Sequence, residues 1–117
     1  MTERIIITGS RDWKDGDKIK NILSKFPKGT LIIHGGCRGL DTIGGNIAKE
    51  LGLNILIFNA DWKKYGKSAG PIRNQQMIDE GLPTRVLAFH ENIEKSRGTA
   101  DMINRARRSN VDVEIYN

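Results

Sequence analysis

Short β-branched runs alternate with helix-length amphipathic segments along the whole chain. The strand candidates are Arg4 to Thr8, Thr30 to His34, Asn54 to Asn59, Arg85 to Phe89 and Asp112 to Ile115. Leu31-Ile32-Ile33 and Ile55-Leu56-Ile57-Phe58 lack polar alternation, the pattern of parallel strands covered by helices on both faces. Between the strands, Ile19, Ile22, Leu23 and Phe26 mark a first helix ended by Pro27-Lys28-Gly29, and Ile43, Ile47 and Leu51 mark a second closed by Gly52. A third runs from Pro71, suited to a first helical position, to Glu80 with Gly81 as its stop. A fourth runs from Thr99 to Ser109. This β-α order ending in a strand predicts an α/β layered fold. Ala60 to Gly70 is the one long stretch without a pattern, and an irregular segment of that length usually has a function.

At 117 residues the chain suits a single domain, 1–117, and 38% hydrophobic residues with 13 glycines predict a packed protein with many tight turns. The single cysteine, Cys37, excludes an internal disulfide and a cysteine-based zinc site. We therefore expect a reducing, cytoplasmic setting, with no metal and no cofactor. No apolar run approaches the ~20 residues of a membrane helix, so no membrane partner is expected. The 19 Lys+Arg against 14 Asp+Glu give a net charge of +5, which favours anionic partners.

In open parallel sheets ligands bind beyond the carboxyl ends of the strands, so the loops there carry the candidate chemistry. After the first strand, Gly9 permits close backbone approach, Ser10 offers a hydroxyl and Arg11 a guanidinium suited to phosphate. After the second, His34-Gly35-Gly36-Cys37-Arg38-Gly39-Leu40-Asp41 is a glycine-rich turn entering a helix, whose amides and dipole favour an anion. Asp41 reads there either as a ligand contact or as a helix cap. His34 and Cys37 receive no role.

The long segment contains Gly66-Lys67-Ser68, but Asp61 stands where a P-loop has its first glycine, so no P-loop is expected. Lys63, Lys64 and Lys67 form either a solvated face or a ligand face, with Trp62 and Tyr65 as stacking surfaces. Arg73 and Asn74 follow at the start of the third helix. After the fourth strand, Arg97-Gly98-Thr99-Ala100-Asp101 again sets glycine and hydroxyl groups at a helix start, with Thr99 a possible cap. His90-Glu91 opens that loop and reads as an exposed polar turn.

The strings I-T-G-S-R at 7–11, H-G-G-C-R-G-L-D at 34–41, A-D-W-x-x-Y-G-K-x-A-G-P-I-R-N at 60–74 and R-G-T-A-D-M at 97–102 stand in order at the strand ends. Together they resemble the SLOG superfamily of Rossmann-like nucleotide-binding domains, specifically its YspA/YpsA-related branch. The resemblance implies a three-layer sandwich with a five-stranded parallel sheet in order 3-2-1-4-5, and a nucleotide-type pocket beside strands 1 and 4. A more distant similarity, to cytokinin-activating phosphoribohydrolases (lysine decarboxylase-like), rests on Arg73, Met77, Gly98 and Thr99. Met102 occupies the position of that family's catalytic glutamate, and Asp101 lies one residue away.

The leading expectation is binding of a nucleotide or nucleotide-derived small molecule, with Arg11, Arg38, Arg73 and Arg97 as anion partners and Asp61 or Asp101 reaching ribose hydroxyls. The enzymatic alternative is a nucleotide hydrolase, in which Arg73 orients phosphate and Asp61 or Asp101 supplies the carboxylate. The third is a single-stranded DNA-binding module using Trp13 and Trp62 as platforms. A homo-oligomer is also expected.

Overall fold

The computed structural model describes residues 2–117. Among them β1 (Arg4–Gly9), β2 (Leu31–His34), β3 (Asn54–Ile57), β4 (Arg85–Phe89) and β5 (Asp112–Tyr116) form one sheet in the order β3-β2-β1-β4-β5. All four pairings are parallel, with Ile6 of β1 opposite Ile33 on one side and Val86 on the other. The central strands β1, β2 and β4 are short and apolar, so their side chains need cover on both faces, and the connecting helices supply it.

The helices are α1 (Gly16–Leu23), α2 (Leu40–Glu50), a single turn α3 (Trp62–Tyr65), α4 (Ala69–Gly81) and α5 (Gly98–Arg108). Strand alternation divides the core into two layers. Ile5, Ile7, Ile32, Leu87 and Phe89 pack against α1 and α2, with Ile19, Leu23, Leu40 and Ile47 opposite them. Ile6, Ile33 and Val86 pack against Met77 and Ile78 of α4 and Met102 and Ala106 of α5. This is the three-layer α/β sandwich that the sequence pattern and the family resemblance implied.

Local details differ from the sequence expectations for identifiable reasons. The 60–70 segment is not a loop: the Asp61 carboxylate accepts from the Lys64 amide at 3.1 Å and nucleates α3, and a 3-10 turn over 66–68 leads into α4. The third predicted helix therefore begins at Ala69 rather than Pro71. It also runs through Gly81, and Leu82 takes the left-handed terminal position at φ 49°. Gly81 is the last helical residue: a Cβ there would sit 3.0 Å from Ile33 Cδ1, which favours glycine, and its carbonyl accepts from Arg4 Nε at 2.7 Å. Phe26 lies beyond the end of α1 but still packs on the core. The edge strand β3 stops at Ile57 and is only partly covered, leaving Ile57 49% exposed.

Gly9 ends β1 where the strand meets the start of α2. A Cβ there would overlap the Phe89 carbonyl oxygen and lie 2.6 Å from Leu40 Cγ. The residue is glycine because backbone and helix crowd it, and the Ser10 amide donates to the same Phe89 carbonyl at 3.0 Å. Gly9→Ala should lower unfolding stability by at least roughly 1–3 kcal/mol, the scale of overpacking a rigid site. Urea denaturation checks this; an unchanged midpoint would show that the junction can open freely.

Candidate functional site

The order of strands reverses between β1 and β4, and at such a switch point the two loops diverge and leave a crevice. A cleft of about 650 Å3 opens there. Its walls come from Gly9, Ser10 and Arg11 after β1, from His90 and Glu91 after β4, and from Lys95, Arg97, Gly98 and Thr99 around the start of α5. Arg73 and Asn74 reach its floor from α4, beside Asp41 from α2.

The glycine-rich loop after β2 is closed by the chain's own anion. Asp41, 7% exposed, accepts from the Gly35 amide at 3.1 Å and the Cys37 amide at 3.2 Å through one carboxylate oxygen. The backbone cradle that the sequence suggested for a ligand phosphate is therefore filled internally. Gly36 and Gly39 make the bend with φ of 72° and 77°, values that strongly favour glycine. His34, at the end of β2, is buried and accepts from the Gly36 amide at 3.0 Å through Nδ1, and Gly45 gives its ring room against α2. Burial, aided by the Arg73 charge, lowers its pKa.

Arg73 pins the same loop from the other side. It is 8% exposed; Nη1 donates to the Gly35 carbonyl at 2.6 Å, Nε donates to Asn74 Oδ1 at 3.1 Å, and Nη2 lies 3.8 Å from Cys37 Sγ. Gly35 lacks a side chain because a Cβ would collide with this guanidinium. Among the described residues no carboxylate lies within 4.0 Å of Arg73. Its buried charge is thus held by dipoles and by the more distant Asp41.

Asn74 continues the chain of contacts, donating to the Gly98 carbonyl at 3.2 Å and to Asp101 Oδ2 at 2.9 Å. The Asn74 bond ties α4 to α5, and within α5 Asp101 also pairs with Arg105 at 2.8 Å. Asp101 is not among the residues that line the cleft, and its carboxylate bridges α4 and α5 through Asn74. The Asp61 carboxylate caps α3, and Asp61 is not among the residues that line the two clefts described here. Thr99 is buried, and Ser96 takes the capping role through Oγ, accepting from the Thr99 and Ala100 amides at 3.0 and 3.3 Å. Gly98 has no positive φ, and a Cβ there would meet nothing within 4 Å. No backbone strain requires glycine at that position.

A second, open groove of about 620 Å3 lies across the glycine-rich loop. Gly35, Gly36 and Arg38 from the loop, Arg11 from the β1 end, Arg73, and Trp62 from α3 line it. Trp62 is 50% exposed. Trp13, the other proposed stacking platform, is instead 7% exposed, edge-on to Phe89 with ring centroids 5.6 Å apart, and its Nε1 donates to the Asp15 carbonyl at 3.0 Å. Tyr65 faces a separate groove beside Lys67 and Ile72.

Sequence reasoning gave no ligand role to several residues of these walls, among them Cys37, His90, Glu91 and Lys95. Cys37 lines both clefts, and His90 and Glu91 line the first. Glu91 Oε1 accepts from Ser10 Oγ at 2.6 Å, joining the β1 and β4 loops, and that bond holds the Glu91 pKa below its ordinary value. The position of His90-Glu91 directly after β4 was the available signal, since that is where a switch-point crevice must open.

A family model described as YspA, cpYpsA-related SLOG family matches residues 3–65. The Gene 61 protein of Mycobacterium phage D29 is 35% identical over 119 residues, covering 94% of this chain and 93% of the relative. The chain belongs to this SLOG family. Among solved structures, DNA processing protein A (DprA) from Streptococcus pneumoniae superposes on 97% of the chain with a TM-score of 0.79 at 17% identity. At that identity the likeness establishes the fold, and this SLOG domain spans 50% of the DprA chain.

Burial raises the Asp41 pKa to about 6, although the Cys37 amide and the Arg73 charge act to lower it. The folded protein thus holds this proton more tightly than the unfolded chain does. The resulting stability is complete below about pH 4 and is lost as pH rises through about 6, an effect on the order of 2–3 kcal/mol. His34 acts oppositely, because its lowered pKa gives stability above about pH 6.5 that is lost on acidification. Asp41→Asn removes the first effect and keeps the second. The stability of the wild type relative to Asp41→Asn should therefore grow between about pH 7.5 and about pH 4.5. Parallel urea titrations measure the difference; a pH-independent difference would mean that Asp41 is not buried as described.

Proposed function

We propose that this SLOG domain binds a nucleotide or nucleotide-derived small molecule in the cleft between the β1 and β4 loops. The observation that carries the reading is Arg73, a nearly buried guanidinium at the switch point with no carboxylate partner among the described residues. A buried cation whose nearest balancing charge, Asp41, is not in direct contact remains costly, and an incoming phosphate supplies a contacting anion. Arg11, Lys95 and Arg97 add exposed positive charge around the same opening, while Glu91 and Asp12 offer acceptors to sugar hydroxyls.

The hydrolase alternative draws no support from Asp61 or Asp101, whose carboxylates are occupied by the α3 cap and by Arg105. The nucleic-acid alternative is favoured by one observation, the fold shared with a protein named for DNA processing, but it loses Trp13 to the core.

A nucleotide panel followed by thermal unfolding tests the reading. A cognate ligand at a hundredfold excess over Kd should stabilise the fold by roughly 2.7 kcal/mol. Absence of any shift across mono-, cyclic and dinucleotides at millimolar concentration would remove the proposal. The salt dependence separates a pocket from a strand-binding groove. A pocket should show a shallow slope of log affinity against log salt, whereas several phosphate contacts on single-stranded DNA give about −0.7 each.

Two arginines should behave differently on replacement. Arg97 is exposed, so Arg97→Ala should weaken a phosphate-bearing ligand roughly tenfold and leave the urea midpoint unchanged. Arg73→Ala should cost both affinity and stability, because it also strands the buried Gly35 carbonyl. Calorimetric titration beside denaturation distinguishes the two, and full affinity in Arg73→Ala would place the ligand elsewhere.

A further inference from the structure

The two clefts share a wall. Arg11, Cys37 and Arg73 line both, so their chemistry faces two cavities at once. The cavities differ in charge. The inner cleft mixes Arg11, Arg73, Lys95 and Arg97 with the carboxylates of Asp12, Asp41 and Glu91. The outer groove contains Arg11, Arg38 and Arg73 and no carboxylate.

The outer groove also carries an aromatic surface with little reason to stay bare. Trp62 projects from the single-turn α3 with half its surface exposed, although an indole normally buries much of its area. Gly70 backs its ring, where an added Cβ would lie 3.4 Å from Trp62 Cη2. Arg38 reaches only the exposed Asp12, at 4.0 Å, so its charge is available. Exposed arginines beside an exposed indole suit a phosphate next to a stacked ring.

We propose that the inner cleft and the outer groove are two halves of one site for a phosphate-bridged dinucleotide, the bridge lying on Arg11 and Arg73 and one base stacking on Trp62. The proposal rests on the nucleotide reading above and specifies its ligand class. Hydroxyl groups of the inner unit meet Glu91 and Asp12, which would repel the bridge itself. The outer unit meets only cations and the indole. Each cavity lies within the roughly 300–1,000 Å3 of small-ligand pockets, so the pair has room for two sugar-base units.

The test compares adenosine and guanosine monophosphates with the symmetric dinucleoside diphosphates built from them. The dinucleotide with the preferred base should bind at least roughly tenfold more tightly than its monophosphate, the scale of one base-aromatic stack. Trp62→Ala should remove most of that ratio and Trp62→Phe should retain much of it. Because Cys37 is the sole cysteine and lies on the shared wall, the dinucleotide should also slow its alkylation by iodoacetamide in the unmodified protein. Equal affinity for the two ligand lengths, or a ratio unchanged in Trp62→Ala, overturns the bipartite site while leaving the inner-cleft reading in place. Failure of every mononucleotide and dinucleotide to bind overturns that reading, and this proposal with it.

Discussion

The grip of Asp41 on the glycine-rich loop is the constraint on which the rest of the site depends. A turn containing Gly35, Gly36 and Gly39 has high entropy when free and exposes amides that need acceptors. One buried carboxylate satisfies two of these amides, and Arg73 satisfies the Gly35 carbonyl from the opposite side. Both ions are nearly buried without touching, so each reduces the desolvation cost of the other through the loop that separates them. The loop then has one shape, and that shape forms the shared wall of both clefts.

The same constraint explains the remaining connectivity. Arg73 is oriented by Asn74, Asn74 by Asp101 and the Gly98 carbonyl, and Asp101 by Arg105. A polar chain therefore runs from the β2 loop through α4 into α5, along the side of the sheet packed with Met77 and Met102. Removing a middle member leaves buried donors without acceptors, which costs more than the bond itself. Such a chain positions α5, and with it Arg97 and Ser96, relative to the cleft.

The strands and the α/β class were legible because apolar runs bounded by glycine and proline signal buried parallel strands in one dimension. The strand order was not readable from periodicity; it came from the ordered motifs and their resemblance to SLOG domains. The partners of Asp61 and Asp101 were not legible, because spacing places a carboxylate on a helix end or face but does not name what it bonds. In both cases the partner was close in sequence, the Lys64 amide and the Arg105 side chain. Trp13 reads as an exposed aromatic in a polar loop, and only the fold shows that Phe89 and the Asp15 carbonyl receive it. Trp62 sits in a similarly charged segment, but no core face is available to it.

The internal carboxylate also changes how this domain can recognise an anion. In a glycine loop with free amides, backbone dipoles bind phosphate and the side chains around them are secondary. Here Asp41 occupies two loop amides and Ser96 occupies two at the start of α5, so much of the fixed backbone donor set is already committed. Under the proposed nucleotide reading, recognition falls to guanidinium groups, of which Arg73 is nearly buried and Arg11, Arg38 and Arg97 are exposed. The glycine motif supplies shape, and the arginines supply charge. On that reading, substitution of Arg38 or Arg97 changes selectivity while the loop remains intact, because neither bonds Asp41, whereas Arg11 also acts on the Asp41 charge.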